Sequence, residues 1–104
     1  MKYEIIKIHT GQITDEEESL TIFQICTRCR ITPAEIYEMV NEGIIYPEHD
    51  NSKAWRFSYN ALDRIRKAIR LRHELELNLA GAALSMHLLD RIEELESKLK
   101  RQNL

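Results

Sequence analysis

The chain has 104 residues, 43% of them hydrophobic, which suits one domain with a modest core, or a small domain carrying a helical extension. With 15 basic residues against 17 acidic ones the formal charge is -2, so no global field draws the chain toward nucleic acid or anionic lipid. No apolar run approaches the roughly 18 residues of a membrane span, Met1-Lys2-Tyr3-Glu4 lacks the apolar core of a signal peptide, and two cysteines three positions apart make no disulfide framework, all of which predicts a cytoplasmic protein in a reducing compartment.

Residues 2 to 9 alternate loosely and carry Tyr3, Ile5, Ile6 and Ile8, which predicts a short N-terminal strand paired with a later hairpin. The acidic run Asp15-Glu16-Glu17-Glu18 reads as a solvated loop, with contact to a basic partner as the alternative. Thr21-Ile22-Phe23-Gln24 fits a capping box and starts a short helix over residues 22 to 29. Thr32-Pro33-Ala34-Glu35 is a stronger start signal, with proline where a missing N–H is harmless, and Gly43 stops the helix that follows. Ile36, Met39 and Val40 mark its buried side, while Glu35, Glu38 and Glu42 fall three and four apart on an exposed stripe.

Two short helices joined by a tight turn make a helix-turn-helix. Ile44-Ile45-Tyr46-Pro47 and Ala54-Trp55-Arg56-Phe57, on either side of a polar loop, read as a small hairpin, the wing. Ser58 offers an N-cap for a helix from Tyr59 to Leu77, with Leu62, Ile65 and Ile69 on one face and Arg64, Arg66, Lys67, Arg70 and Arg72 around the others. Asn78 marks a bend and caps a helix from Leu79 to Gln102, about 36 Å long at 1.5 Å per residue. Its seam of Leu88, Ile92, Leu95 and Leu99 is spaced four, three and four, as in a coiled-coil heptad, and two heptads are too few to stand alone, so a symmetry mate is expected.

The second helix of the helix-turn-helix holds a contradiction. A helix that enters the major groove approaches a row of phosphates and relies on basic residues, yet residues 32 to 43 carry three glutamates and no lysine or arginine. Such a face suits a basic protein surface better than a duplex. The arginines from Arg64 to Arg72 are the best case for nucleic acid, but they spread around the helix and Asp63, Glu74 and Glu76 dilute them.

The order of elements resembles the MerR-like family, and within it the chaperone-modulatory CbpM family. The resemblance is carried by residues 67 to 75 (KAIRLRHEL), Leu77-Asn78-Leu79-Ala80-Gly81, residues 88 to 95 (LLDRIEEL) and, more weakly, Trp55-Arg56-Phe57, within about 80 of the 104 positions. It implies a dimeric, non-enzymatic regulator that binds the J-domain of a DnaJ-like, curved-DNA-binding co-chaperone and keeps it from stimulating an Hsp70. J-domains present a basic helix to Hsp70, which gives an acidic stripe on the modulator its electrostatic rationale.

Other constellations carry less. Cys26-Thr27-Arg28-Cys29 is a lone C-x-x-C, read as core thiols with metal or redox use as the alternative, since zinc needs four ligands and no βαβ unit is in sight. His73-Glu74-Leu75-Glu76-Leu77 begins like a zinc-protease helix but has leucine where the second histidine belongs; His9, His49 and His87 are scattered. Trp55 reads as wing packing or as a partner-facing anchor.

The expectation is therefore a mainly α protein: a MerR-like winged helix-turn-helix with a short N-terminal strand and wing hairpin over residues 1 to 77, then a coiled-coil-type dimerisation helix over 78 to 104. Glu35, Glu38, Glu42, Asp90, Glu93 and Glu94 are the candidate J-domain contacts, and Leu88, Ile92, Leu95 and Leu99 the dimer seam. No cofactor, metal, membrane or direct nucleic-acid partner is expected. A MerR-like DNA-binding transcriptional regulator is the alternative.

Overall fold

Two threonine boxes set the first two helices. In the computed structural model, which describes residues 19–48 and 54–103, strand β1 (Ser19–Thr21) leads into helix α1 (Ile22–Cys29). The Thr21 hydroxyl accepts from the Gln24 amide at 3.1 Å and the Gln24 side chain accepts from the Thr21 amide at 2.9 Å. The same reciprocal pair joins Thr32 and Glu35 at the start of α2 (Pro33–Asn41), with Pro33 in its first turn. Gly43, at φ +77°, then turns the chain back so that the Ile44 amide bonds to the Met39 carbonyl at 2.9 Å.

The sheet pairs differently from the expected hairpin. Strand β2 (Arg56–Ser58) runs antiparallel to β1, with Leu20 opposite Phe57, and both side chains fully buried. Residues 44 to 47 form no strand, because Ile44 and Ile45 are both buried and consecutive residues of a strand point to opposite faces. One backbone bond, from the Glu48 amide to the Arg56 carbonyl at 2.8 Å, ties that arm to β2. The strand expected over residues 2 to 9, the acidic run 15 to 18 and His49 lie outside the described residues.

Helix α3 (Asn60–Leu75) begins without a side-chain cap: its N-cap is Tyr59, and Ser58 ends β2 instead. Ala61, Leu62, Ile65 and Ala68 bury its inner face, while Glu76 closes it in the left-handed region at φ 52°. Helix α4 (Leu79–Gln102) is capped by Asn78, whose side-chain oxygen accepts from the Gly81 amide at 2.8 Å. A Cβ at Gly81 would meet that oxygen at 3.2 Å and Leu77 Cβ at 3.4 Å, so the tight bend favours glycine there.

Only the first turns of α4 enter the core, through Ala82, Ala83 and Met86. They cover a cluster of Leu20, Ile25, Ile36, Met39, Ile44, Ile45, Phe57 and Ile65. Arg64 fastens the same junction. Its Nε donates to the Ile44 carbonyl at 2.6 Å and its guanidinium meets Asp90 on α4 at 3.2 Å. Truncating Phe57 to alanine should cost about 3–5 kcal/mol, against about 1 kcal/mol for Asn78→Ala, in urea unfolding followed by circular dichroism. Equal costs would mean that the sheet is not part of the cooperative core.

Candidate protein-interaction surface

Because Ile36 and Met39 point fully inward, helical periodicity turns Tyr37 and Glu38 outward. The three glutamates are not equivalent. Glu35 is half-buried and its carboxylate is held by the Thr32 amide and hydroxyl, both at 3.1 Å, so capping occupies it. Glu38 is exposed and Glu42 half-exposed at the helix C-cap, and among the described residues neither has an ion-pair partner. Carboxylates near a helix C-terminus gain nothing from its partial negative charge, so the helix itself does not account for Glu42.

Sequence reasoning passed over Tyr37, which is 53% exposed. Its ring lies 5.2 Å from that of Trp55, which in turn meets Phe57 edge-on at 6.2 Å. Trp55 thus packs the wing onto the domain, one of the two readings its sequence position allowed. The row anchors an exposed aromatic to the core beside Glu38, and a rigid aromatic next to charge is a common form of interface hot spot. The available signal was that a tyrosine follows a core isoleucine on an otherwise polar face.

On α4 the acidic candidates also divide. Asp90 is tied to Arg64, and Glu94 pairs with Arg91 at 2.8 Å and Lys98 at 3.3 Å. The hydrogen bond from Lys98, followed by the charge of Arg91, holds the Glu94 carboxyl below the usual range. Glu93 is exposed with no ion pair among the described residues. Of the six candidate carboxylates, Glu38, Glu42 and Glu93 have no ion-pair partner among the described residues, whereas Glu35, Asp90 and Glu94 already have partners within the chain. His87 Nε2 lies 3.0 Å from the Gly43 carbonyl, so the end of α2 adjoins the point where α4 leaves the body.

Beyond that point Leu88, Ile92, Leu95 and Leu99 are 56%, 50%, 44% and 58% exposed, and Leu84 and Leu89 are exposed as well. They make an exposed apolar stripe along the part of α4 that leaves the body. The thiols stand apart from it. Cys26 and Cys29 are free and half-buried, and burial pushes both up, with Arg66 and Arg28 partly opposing it at Cys29. Among the described residues no three His, Cys, Asp or Glu side chains gather into a metal cage, and no helix is long and apolar enough to cross a membrane.

The family model for MerR HTH family regulatory proteins matches residues 20–103, the helix-turn-helix through the last helix. The chaperone modulatory protein CbpM of Escherichia coli (strain K12 / DH10B) is 35% identical over 88 residues, covering 83% of this chain and 87% of the relative. The chain belongs to the CbpM family of MerR-like proteins. CbpM from Shigella boydii serotype 18 aligns with the same identity and coverage. These CbpM relatives are named as chaperone modulators and the matched family as regulatory proteins, neither as enzymes.

With both thiol pKa values raised, Cys26 and Cys29 should stay protonated at pH 7 and react with iodoacetamide more slowly than free cysteine, with a rate that keeps climbing with pH after that of free cysteine has levelled off. Fast alkylation at pH 7 would instead indicate an activated thiolate.

Proposed function

We propose that this chain modulates a chaperone, as its CbpM relatives are named for doing, by binding the J-domain of a DnaJ-like curved-DNA-binding co-chaperone and occluding it. The mechanism needs no bond chemistry and no cofactor, and it operates in the cytoplasm. The observation that carries the reading is the outer face of α2. In the position of a DNA-reading helix it presents Tyr37, Glu38 and Glu42 with no basic side chain. Such a face repels phosphate and complements the basic helix that a J-domain offers to Hsp70.

Glu38 and Glu42 with Tyr37 form the primary contact, and Glu93 extends it across the α2–α4 corner. Glu35, Asp90 and Glu94 contribute to the field while keeping their internal partners. Residues 1 to 77 act as the recognition unit and 78 to 104 as the dimerisation unit. Leu88, Ile92, Leu95 and Leu99 pair with a second copy, which would cover the apolar stripe and set two J-domain faces on one homodimer.

Glu38→Lys with Glu42→Lys should weaken J-domain binding by about tenfold or more in low-salt calorimetry, while stability changes by no more than about 0.5 kcal/mol. Unchanged affinity would move the interface off α2. Leu88→Glu with Ile92→Glu should convert a dimer to a monomer in analytical ultracentrifugation; a dimer that survives both charges would place the contact elsewhere.

A further inference from the structure

The opposite charge collects on another side of the body. Between the end of α1 and the outer face of α3 lie two adjoining grooves of about 400 and 340 Å³ that share Cys29, Arg30, Ile69 and His73. Together they are lined by five arginines, Arg28, Arg30, Arg66, Arg70 and Arg72, against two glutamates, Glu35 and Glu74. Among the described residues none of the five closes an ion pair, whereas Arg64 and Arg91 each do. Arg28 instead stands 5.8 Å over the Tyr59 ring. Five like charges outnumbering the two glutamates in one concavity repel one another, and an incoming anion would relieve that repulsion.

Between the arginines the lining includes the apolar side chains of Ile31, Ile69 and Leu77, beside Cys29 and His73. The backbone is also unusual at the groove's edges. Arg30 at the end of α1 and Glu76 at the end of α3 both hold left-handed φ angles, 57° and 52°, at C-cap positions where glycine is the common solution. Arginine at position 30 brings a guanidinium to both grooves where glycine would suit the backbone better.

We propose that this groove binds an acidic, partly apolar peptide segment of a partner protein, with carboxylates on Arg30, Arg66, Arg70 and Arg72 and an apolar side chain over Ile69 and Leu77. A peptide fits better than a nucleic acid for two reasons. A continuous row of phosphates has to pass Glu35 and Glu74, whereas a peptide can space its carboxylates around them. The apolar lining offers a phosphate backbone nothing, yet rewards burial of a side chain. The site does not include Tyr37, Glu38 or Glu42, the primary contact proposed on α2, and is tested independently of it.

The test is fluorescence anisotropy at low salt, using the full chain and a short fluorescein-labelled peptide of glutamates broken by two leucines. A glutamine-for-glutamate peptide and a random DNA duplex serve as comparison probes. The glutamate peptide should bind and weaken steeply with added salt, and the glutamine peptide should not bind. Arg66→Glu with Arg70→Glu, both at exposed positions, should reduce the affinity by about tenfold or more with the Tm retained. Arg30→Gly should weaken binding with a Tm equal to or above that of the parent, because glycine accepts the left-handed backbone. Absence of peptide binding, or affinity unaffected by the Arg66/Arg70 variant, overturns the proposal. Duplex DNA that binds more tightly than the peptide and is lost in the same variant also overturns it, in favour of phosphate.

Discussion

Burial of Ile36 and Met39 is the contact on which the rest depends. With both side chains fully enclosed, α2 cannot rotate about its axis, and a helix with 3.6 residues per turn has no further freedom over what it shows outside. The outward residues are then Tyr37 and Glu38, with Glu42 at the end. A core contact of ordinary hydrophobic kind thereby decides the electrostatic sign of the surface. The Tyr37–Trp55–Phe57 row adds stiffness, connecting that surface through ring contacts to the buried Leu20–Phe57 pair of the sheet.

The last helix has two regimes. Its first turns complete the core through Ala82, Ala83 and Met86, small or flexible side chains that allow α4 to lie close to the helices below. Arg64 then fixes the departure by bridging the Ile44 carbonyl to Asp90. Past Asp90 every described residue is exposed, apolar ones included. That exposed end is only about three turns, a length that is marginal for an isolated helix in water, and its leucine and isoleucine stripe has no partner among the described residues. Charge is paired at the junction, through Arg64 and Asp90, and around Glu94 on α4, while Glu38, Glu42 and the groove arginines close no ion pair among the described residues.

What the sequence discloses is local. Both threonine boxes, the proline start of α2, the turn at Gly43 and the Asn78 cap involve residues within a few positions of one another, and the structure has all of them. The helix-turn-helix, the bend and the final helix follow from these signals. Long-range pairing is hidden. Nothing in Ser19-Leu20-Thr21 marks it as the partner of Arg56-Phe57-Ser58, and the apolar Ile44-Ile45 pair looks like a wing strand until both side chains are seen in the core. The glutamates show the same limit. Helical spacing groups Glu35 with Glu38 and Glu42, but the capping geometry at Thr32 engages Glu35, and a bridge across 26 positions engages Asp90. The arginine groove is dispersed in sequence between the end of α1 and the outer face of α3, so its charge reads as dilute until the two elements are packed together.

In the proposed function the acidic, aromatic-bearing face of α2 meets the J-domain. Titrating an unlabelled J-domain into the isotopically labelled chain and following backbone amides by NMR tests it most directly. The largest shifts should cluster at Tyr37, Glu38 and Glu42, with weaker ones at the adjoining turn of α4. Shifts confined to the Arg30, Arg66 and Arg70 groove, or none at saturating J-domain, would contradict it.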